Sequence, residues 1–194
     1  MNPEKTVLRA RFVSMRASWE TTDRALRSAA IVDRLLALDI LARAGTVLAF
    51  WPMSDRFEVD IRPAIEILHE RGIRVGLPVI LGSTGSRAME FRAFEGSERL
   101  ETGVFGTLQP GSGPAIPPAE ADIILVPALA VDLKGYRLGW GAGYYDRFLA
   151  TVDRPTVCPI FASCLVDSLP TEMHDRAVAL IVTEDRTLST GQTP

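Results

Sequence analysis

Leu8, Phe12, Met15 and Trp19 recur at helical spacing near the start of the chain, just behind Asn2, Pro3 and Glu4. Asn2 suits a helix cap, Pro3 a first turn where its missing N–H costs nothing, and Glu4 the positive end of the helix dipole. The same spacing leaves Lys5 and Arg9 together on a neighbouring face. A second helix is expected to start at Thr21, Thr22 or Asp23 and to reach about Leu38. Leu26, Ile31, Leu35 and Leu36 would be its buried face, with Gly45 ending the pair. Residues 47–50 then form an apolar run of strand type, followed by a loop over 51–60 and a helix over about 63–71 that Gly72 stops. Residues 74–78 are strand-like, and 89–94 alternate with the period of two expected of a half-buried strand. The stretch 95–120 is rich in Gly and Pro and reads as one long ordered loop. Three further apolar runs, 122–127, 156–161 and 177–183, complete the set of strands.

Strands that alternate with helices imply an α/β fold with a largely parallel sheet covered on both faces. In such sheets ligands bind beyond the carboxyl ends of the strands. A chain of 194 residues is long enough for one full core, so residues 1–194 are expected to form a single domain. Charge narrows the function classes. The 21 basic and 24 acidic residues leave a formal charge of −3, which points away from a nucleic-acid surface or a membrane-attracted face. No apolar run approaches the ~18 residues of a membrane span, and the first residues lack the apolar core of a signal peptide. Cys158 and Cys164 have no histidine near enough for a zinc pattern and read as buried free thiols rather than a disulfide. A cytoplasmic protein is expected.

The chemistry concentrates in Arg137-Leu138-Gly139-Trp140-Gly141-Ala142-Gly143-Tyr144-Tyr145-Asp146. Glycines at alternate positions let a backbone bend freely and bring its N–H groups against an anion with no Cβ in the way. The apolar run 122–127 would deliver this loop to the end of the sheet. From Tyr144 onward the chain reads as a short amphipathic helix, so the loop would sit at a helix N-terminus, a setting that favours phosphate. A tight turn could use the same glycines, but a turn needs neither Arg137 nor Asp146. A nucleotide with its metal needs both a cation for phosphate and a hard carboxylate oxygen. The spacing matches neither the usual P-loop nor a dinucleotide fingerprint. Lys5 with Arg9, Glu58 with Asp60 and His174 with Asp175 are the other polar constellations, and each alone also suits a solvated face or a cap.

In order and wording these pieces resemble the 5-formyltetrahydrofolate cyclo-ligase (methenyltetrahydrofolate synthetase) family over nearly the whole chain. The family's K-x-x-L-R matches Lys5 to Arg9, and its P-M loop followed by E-V-D matches 51–53 and 58–60. Its signature V-P-x-L-A-x-D-x-x-G-x-R-L-G-x-G-x-G-Y-Y-D-R matches 126–147, and L-P-x-E-x-H-D matches 169–175. The resemblance implies a three-layer α/β domain of the sugar-isomerase and CoA-transferase-like type. It also implies an enzyme that uses ATP as co-substrate and Mg²⁺ to phosphorylate the formyl oxygen of 5-formyltetrahydrofolate. The neighbouring nitrogen then closes the ring to 5,10-methenyltetrahydrofolate, with release of ADP and phosphate.

Carried over residue by residue, the resemblance assigns ATP to Lys5, Arg9 and Arg137 and to the loop Leu138, Gly139, Trp140, Gly141, Ala142, Gly143, Tyr144 and Tyr145. Arg137 and Tyr145 become catalytic candidates. The reduced folate falls to Arg9, Trp51, Met53, Glu58 and Tyr144, with Glu58 accepting from the amino-pyrimidine edge and the aromatic rings stacking. Asp146 and Asp175 would hold Mg²⁺. A monomer acting on folate and ATP, with no nucleic-acid or membrane partner, is expected. The chain departs from the family where Ala142 replaces glycine or lysine, where Cys164 replaces glutamine, and where Ile61 replaces threonine. These departures keep open a catalytically weak paralogue that binds folate or nucleotide as a regulatory module. A sugar-phosphate isomerase is a third reading, for which no enediol base is evident.

Overall fold

The computed structural model describes residues 2–81, 88–173 and 175–191. Its helices are α1 (Pro3–Ala17), α2 (Thr21–Leu36), α3 (Asp39–Ala42), α4 (Arg62–Glu70) and α5 (Tyr144–Leu149). Strands β1 (Thr46–Leu48), β2 (Arg74–Leu81) and β3 (Ala88–Ala93) are followed by β4 (Leu100–Thr102), β5 (Leu108–Pro110) and β6 (Ile123–Leu125). After these come β7 (Ala130–Asp132), β8 (Arg137–Leu138), β9 (Thr156–Pro159), β10 (Leu165–Val166), β11 (Leu180–Val182) and β12 (Thr187–Ser189).

Seven strands form the main sheet in the order β12-β11-β9-β6-β1-β2-β3. The five central strands run parallel, and β3 and β12 close the two edges antiparallel. The central strands are short and buried on both sides, as a sheet covered by helices requires: Val47, Leu48, Ile123, Ile124, Leu125, Val157 and Ile181 have no exposed surface. From β1 the chain order runs outward to β2 on one side and to β6 and β9 on the other. The order therefore reverses between β1 and β6, and a crevice opens there beyond the strand ends.

Helix α1 starts as its sequence dictates, with the Asn2 side chain accepting the Glu4 N–H at 2.9 Å. The start of α2 differs from expectation. Glu20 holds the cap position without a side-chain hydrogen bond, and Thr21 is already helical. Leu26, expected in the core, is 71% exposed. The buried stripe is Ser28, Ile31, Val32 and Leu35, one helical face, and Leu26 lies about 200° from Ser28 around the axis. The helix ends at Leu36, and the separate turn α3 intervenes before Gly45.

The Gly- and Pro-rich stretch 95–120 is more ordered than one loop. It contains the hairpin β4–β5, paired from Leu100 with Pro110 to Thr102 with Leu108, and Ala115 bridges back to Arg92. The approach to the glycine loop also differs from expectation. Strand β6 does not lead into it directly, because a small sheet in the order β10-β7-β8 intervenes and the loop leaves from β8. Cys158 and Cys164 are both buried and unbridged.

Candidate functional site

A cleft of about 920 Å³ opens at the strand-order reversal, with Phe50 and Trp51 following β1 and Pro127 following β6 in its wall. Every residue singled out above for ATP, folate or metal lines it. His174 lies outside the described residues.

One end of the cleft is cationic. Lys5, on the first turn of α1, is 6% exposed, and its Nζ donates to Asp175 Oδ2 at 2.6 Å and to Glu172 Oε2 at 3.0 Å. Burial alone would lower the Lys5 ammonium, but the hydrogen bonds and charges of Asp175 and Glu172 outweigh it and hold the group above its ordinary range. One helical turn on, Arg9 Nε donates to the carbonyl of Gly139 at 2.8 Å and so clamps α1 to the glycine loop. That contact explains one glycine. Gly141 has φ +96°, and a Cβ there would stand 3.2 Å from the Arg9 guanidinium carbon. Gly143 caps α5 at φ 73°. Ala142 is not among the positive-φ residues and its side chain is exposed, so alanine fits here without backbone strain.

Arg137 emerges from β8 almost fully buried, with 2% of its side chain exposed, and donates to Asp146 Oδ1 at 2.7 Å. Its Nε and the Tyr145 hydroxyl are buried polar atoms with no hydrogen-bond partner among the described residues. Burial pushes the Tyr145 phenol well above its usual range, with the nearby Glu58 charge adding to the effect and Arg137 opposing it. It remains a neutral donor at any physiological pH. Both metal candidates are thus already engaged by cations, Asp146 by Arg137 and Asp175 by Lys5. Among the described residues no group of three or more His, Cys, Asp or Glu side chains converges.

The other end is apolar and aromatic. Glu58 reaches the wall from the 51–60 loop, its Oε2 accepting the Met53 N–H and its Oε1 the Trp140 indole N–H, both at 2.9 Å. Burial raises the Glu58 carboxyl above the ordinary range, while those two donors and the charges of Arg16 and Arg56 pull it down. Trp51 packs against Phe94, with ring centroids 5.7 Å apart.

Sequence reasoning missed several wall residues. Ile80 and Met89 face each other across the β2–β3 pair, and Leu108 comes from β5, inside the stretch that had looked like loop. The period-two alternation of 89–94 could have signalled the first pair. Arg56, whose guanidinium lies 4.6 Å over the Trp140 ring, carried no motif. Behind the cleft Arg16 is fully buried, donating through Nη2 to the carbonyls of Ala128 and Leu129, each at 2.8 Å, and through Nε to Cys164 Sγ at 3.4 Å. The thiol at position 164 therefore serves as an acceptor for this guanidinium.

Known proteins resemble this chain in sequence and in fold. The model of the 5-formyltetrahydrofolate cyclo-ligase family matches residues 1–184. A protein of Mycolicibacterium smegmatis named 5-formyltetrahydrofolate cyclo-ligase is 35% identical, covering 96% of this chain and 97% of its own length. One of the same name from Escherichia coli K12 is 29% identical over 79% of this chain and 85% of its own. The solved structure of Aquifex aeolicus 5,10-methenyltetrahydrofolate synthetase superposes with a TM-score of 0.84 at 27% identity, covering 98% of this chain and 94% of that one. The motifs that meet in the cleft, a family model spanning nearly the whole chain and a shared fold agree, and the chain belongs to the 5-formyltetrahydrofolate cyclo-ligase family.

Proposed function

We propose that this protein is an ATP-dependent ligase that converts 5-formyltetrahydrofolate to 5,10-methenyltetrahydrofolate with release of ADP and phosphate. One observation carries the reading at the level of the site: a single cleft joins a cationic, glycine-lined end to an apolar end that carries a carboxylate. The first suits a triphosphate and the second a flat, partly polar heterocycle. Their junction is where phosphoryl donor and formyl oxygen must meet in line.

In this reading Lys5, Arg9 and Arg137 neutralise phosphate charge, and the backbone N–H groups of residues 139–143 cradle it. Helix α5 has only six residues, so the loop's own N–H groups matter more than its dipole. Arg137 Nε and the Tyr145 hydroxyl, two buried donors of the cleft wall without a partner among the described residues, are assigned to oxygens that gain charge during transfer. Trp51, Met53 and Tyr144 provide contact surface for the folate, whose amino-pyrimidine edge donates to Glu58. Arg9 sits between the two ligands.

Asp146 and Asp175 are the residues that would hold Mg²⁺. Two hard carboxylates, each with lone pairs beyond those used by its cation, fit an ion that takes its remaining oxygens from phosphate and water. Bound there, the ion would neutralise phosphate charge during transfer. The same reading takes the architecture as three-layered, of the sugar-isomerase and CoA-transferase-like type. It is supported by the Phe91 ring of β3 lying 4.9 Å from that of Phe148 in α5 while Phe94, one residue past β3, meets His69 of α4.

Purified protein given 5-formyltetrahydrofolate, ATP and Mg²⁺ is expected to generate the ultraviolet absorbance of the methenyl product. Absence of product at high enzyme concentration, with both ligands bound by calorimetry, would replace the enzyme with a binding module. Asp146→Asn is expected to lower turnover by about 10- to 100-fold at limiting Mg²⁺. Excess Mg²⁺ should restore part of it, and folate affinity should stay within about twofold, because the loss falls on metal binding. Equal turnover of variant and wild type at limiting Mg²⁺ removes Asp146 from the metal site.

A further inference from the structure

Trp140 fills an unspecified position of the glycine motif, yet its side chain leaves the phosphate end and crosses the cleft. Its indole N–H donates to Glu58 Oε1 at 2.9 Å while Met53 N–H holds Oε2 at the same distance. The Arg56 guanidinium covers the ring face at 4.6 Å, and the half-buried indole also packs against the core. The Glu58 carboxylate is thus gripped at one oxygen by its own loop and at the other by a residue 82 positions away in sequence.

We infer that Trp140 is a positioning residue for folate recognition, fixing the plane of the Glu58 carboxylate so that it meets the paired N–H edge of the pterin. The inference rests on the reading of Glu58 as that edge's acceptor. A carboxylate oxygen has two lone pairs, so one donor on each leaves one free on each for an incoming pair of N–H groups. Those groups lie in the plane of their ring, so a carboxylate free to rotate would give up that freedom on binding. One already fixed loses little.

The indole N–H also favours the charged carboxylate against the effect of burial. The other groups that face Glu58 are Arg16 from α1 and Arg56 from its own loop, both favouring the charge, and the Tyr145 phenol from α5, which stays neutral. The sign follows. A protonated Glu58 is a poorer acceptor, so folate affinity falls as pH drops through its pKa, and loss of the indole donor moves that fall to higher pH.

The test measures affinity for 5-formyltetrahydrofolate by calorimetry without ATP between pH 5 and pH 8, for wild type, Trp140→Phe, Glu58→Gln and the double variant. Phenylalanine keeps an aromatic face for Arg56 and removes only the N–H, and a thermal melt of each variant keeps folding separate. Trp140→Phe is expected to weaken folate binding about 10-fold at neutral pH and to move the acid-side loss upward in pH. In the Glu58→Gln background it should add nothing, because its effect passes through the carboxylate. Wild-type folate affinity and pH profile in Trp140→Phe, or a full additive loss in the double variant, overturns the positioning role while Glu58→Gln alone still binds weakly. Wild-type affinity in Glu58→Gln instead overturns the role of Glu58 itself, and the inference with it.

Discussion

Arg137→Met is expected to lower turnover by about 10²- to 10³-fold, with folate affinity changed only a few-fold. Arg137 is buried beside the glycine loop, ion-paired at 2.7 Å to Asp146, and its buried Nε has no partner among the described residues. A side chain of that kind is already oriented, and its charge acts in surroundings where it is weakly screened. Its contribution should therefore appear when charge moves onto the transferring group rather than when substrate first binds. Methionine keeps much of the volume, so the stability loss should be modest, about 1–3 kcal/mol. Arg137→Lys restores the charge but not the planar fork and should recover only part of the rate. Initial rates of methenyl product formation at saturating ATP and folate measure the effect. A rate within threefold of wild type would take Arg137 out of the chemistry.

Arg16→Met is expected to cause the largest stability loss, about 2–4 kcal/mol. Arg16 has no exposed surface, and its Nη2 is the hydrogen-bond donor to the carbonyls of both Ala128 and Leu129. Without it two buried acceptors lose their partner, at about 1–3 kcal/mol each. Part of that is offset, because Nη1 of the same guanidinium is itself buried without a partner among the described residues and methionine removes that cost. Methionine also replaces most of the packing of the arginine stem against Phe161, whose ring centre lies 5.6 Å from the guanidinium carbon. Urea unfolding read by far-ultraviolet dichroism gives the difference directly. A change below about 0.5 kcal/mol would mean that the two carbonyls find other partners.

Local signals were legible where one residue type has one physical use. Asn2 capping α1, Gly72 ending α4 with φ 78°, and the apolar runs that became β1, β6, β9 and β11 follow from short-range chemistry. The site was legible for a different reason: its residues sit in motifs whose order resembles a family, and the cleft gathers them all. What escaped depends on long-range placement. Leu26 is as apolar as Leu35, and only the packing of α2 decides which of them faces the core. The β4–β5 hairpin hides in a composition that also suits loops, because its strands are three residues each. Arg16 reads as one more surface arginine until the carbonyls of Ala128 and Leu129, more than a hundred residues later, come to meet it. Trp140 shows the same limit inside a recognised motif, since nothing in its sequence neighbours points to Glu58.

Helix α1 has a consequence for the order of events during synthesis. Its polar side chains are secured by Gly139, Ala128, Cys164, Glu172 and Asp175, at separations of 112 to 170 residues. As the chain leaves the ribosome the first helix emerges first and must wait for nearly everything else before any of these partners exists. At about 5–20 residues per second that wait is on the order of ten seconds or more. The cationic end of the cleft, where Arg9 meets the glycine loop and Lys5 meets Glu172 and Asp175, is completed among the last parts of the molecule. Until residues near 175 are free, Lys5 lacks the carboxylates that hold it, and the ATP site proposed above is incomplete in the nascent chain.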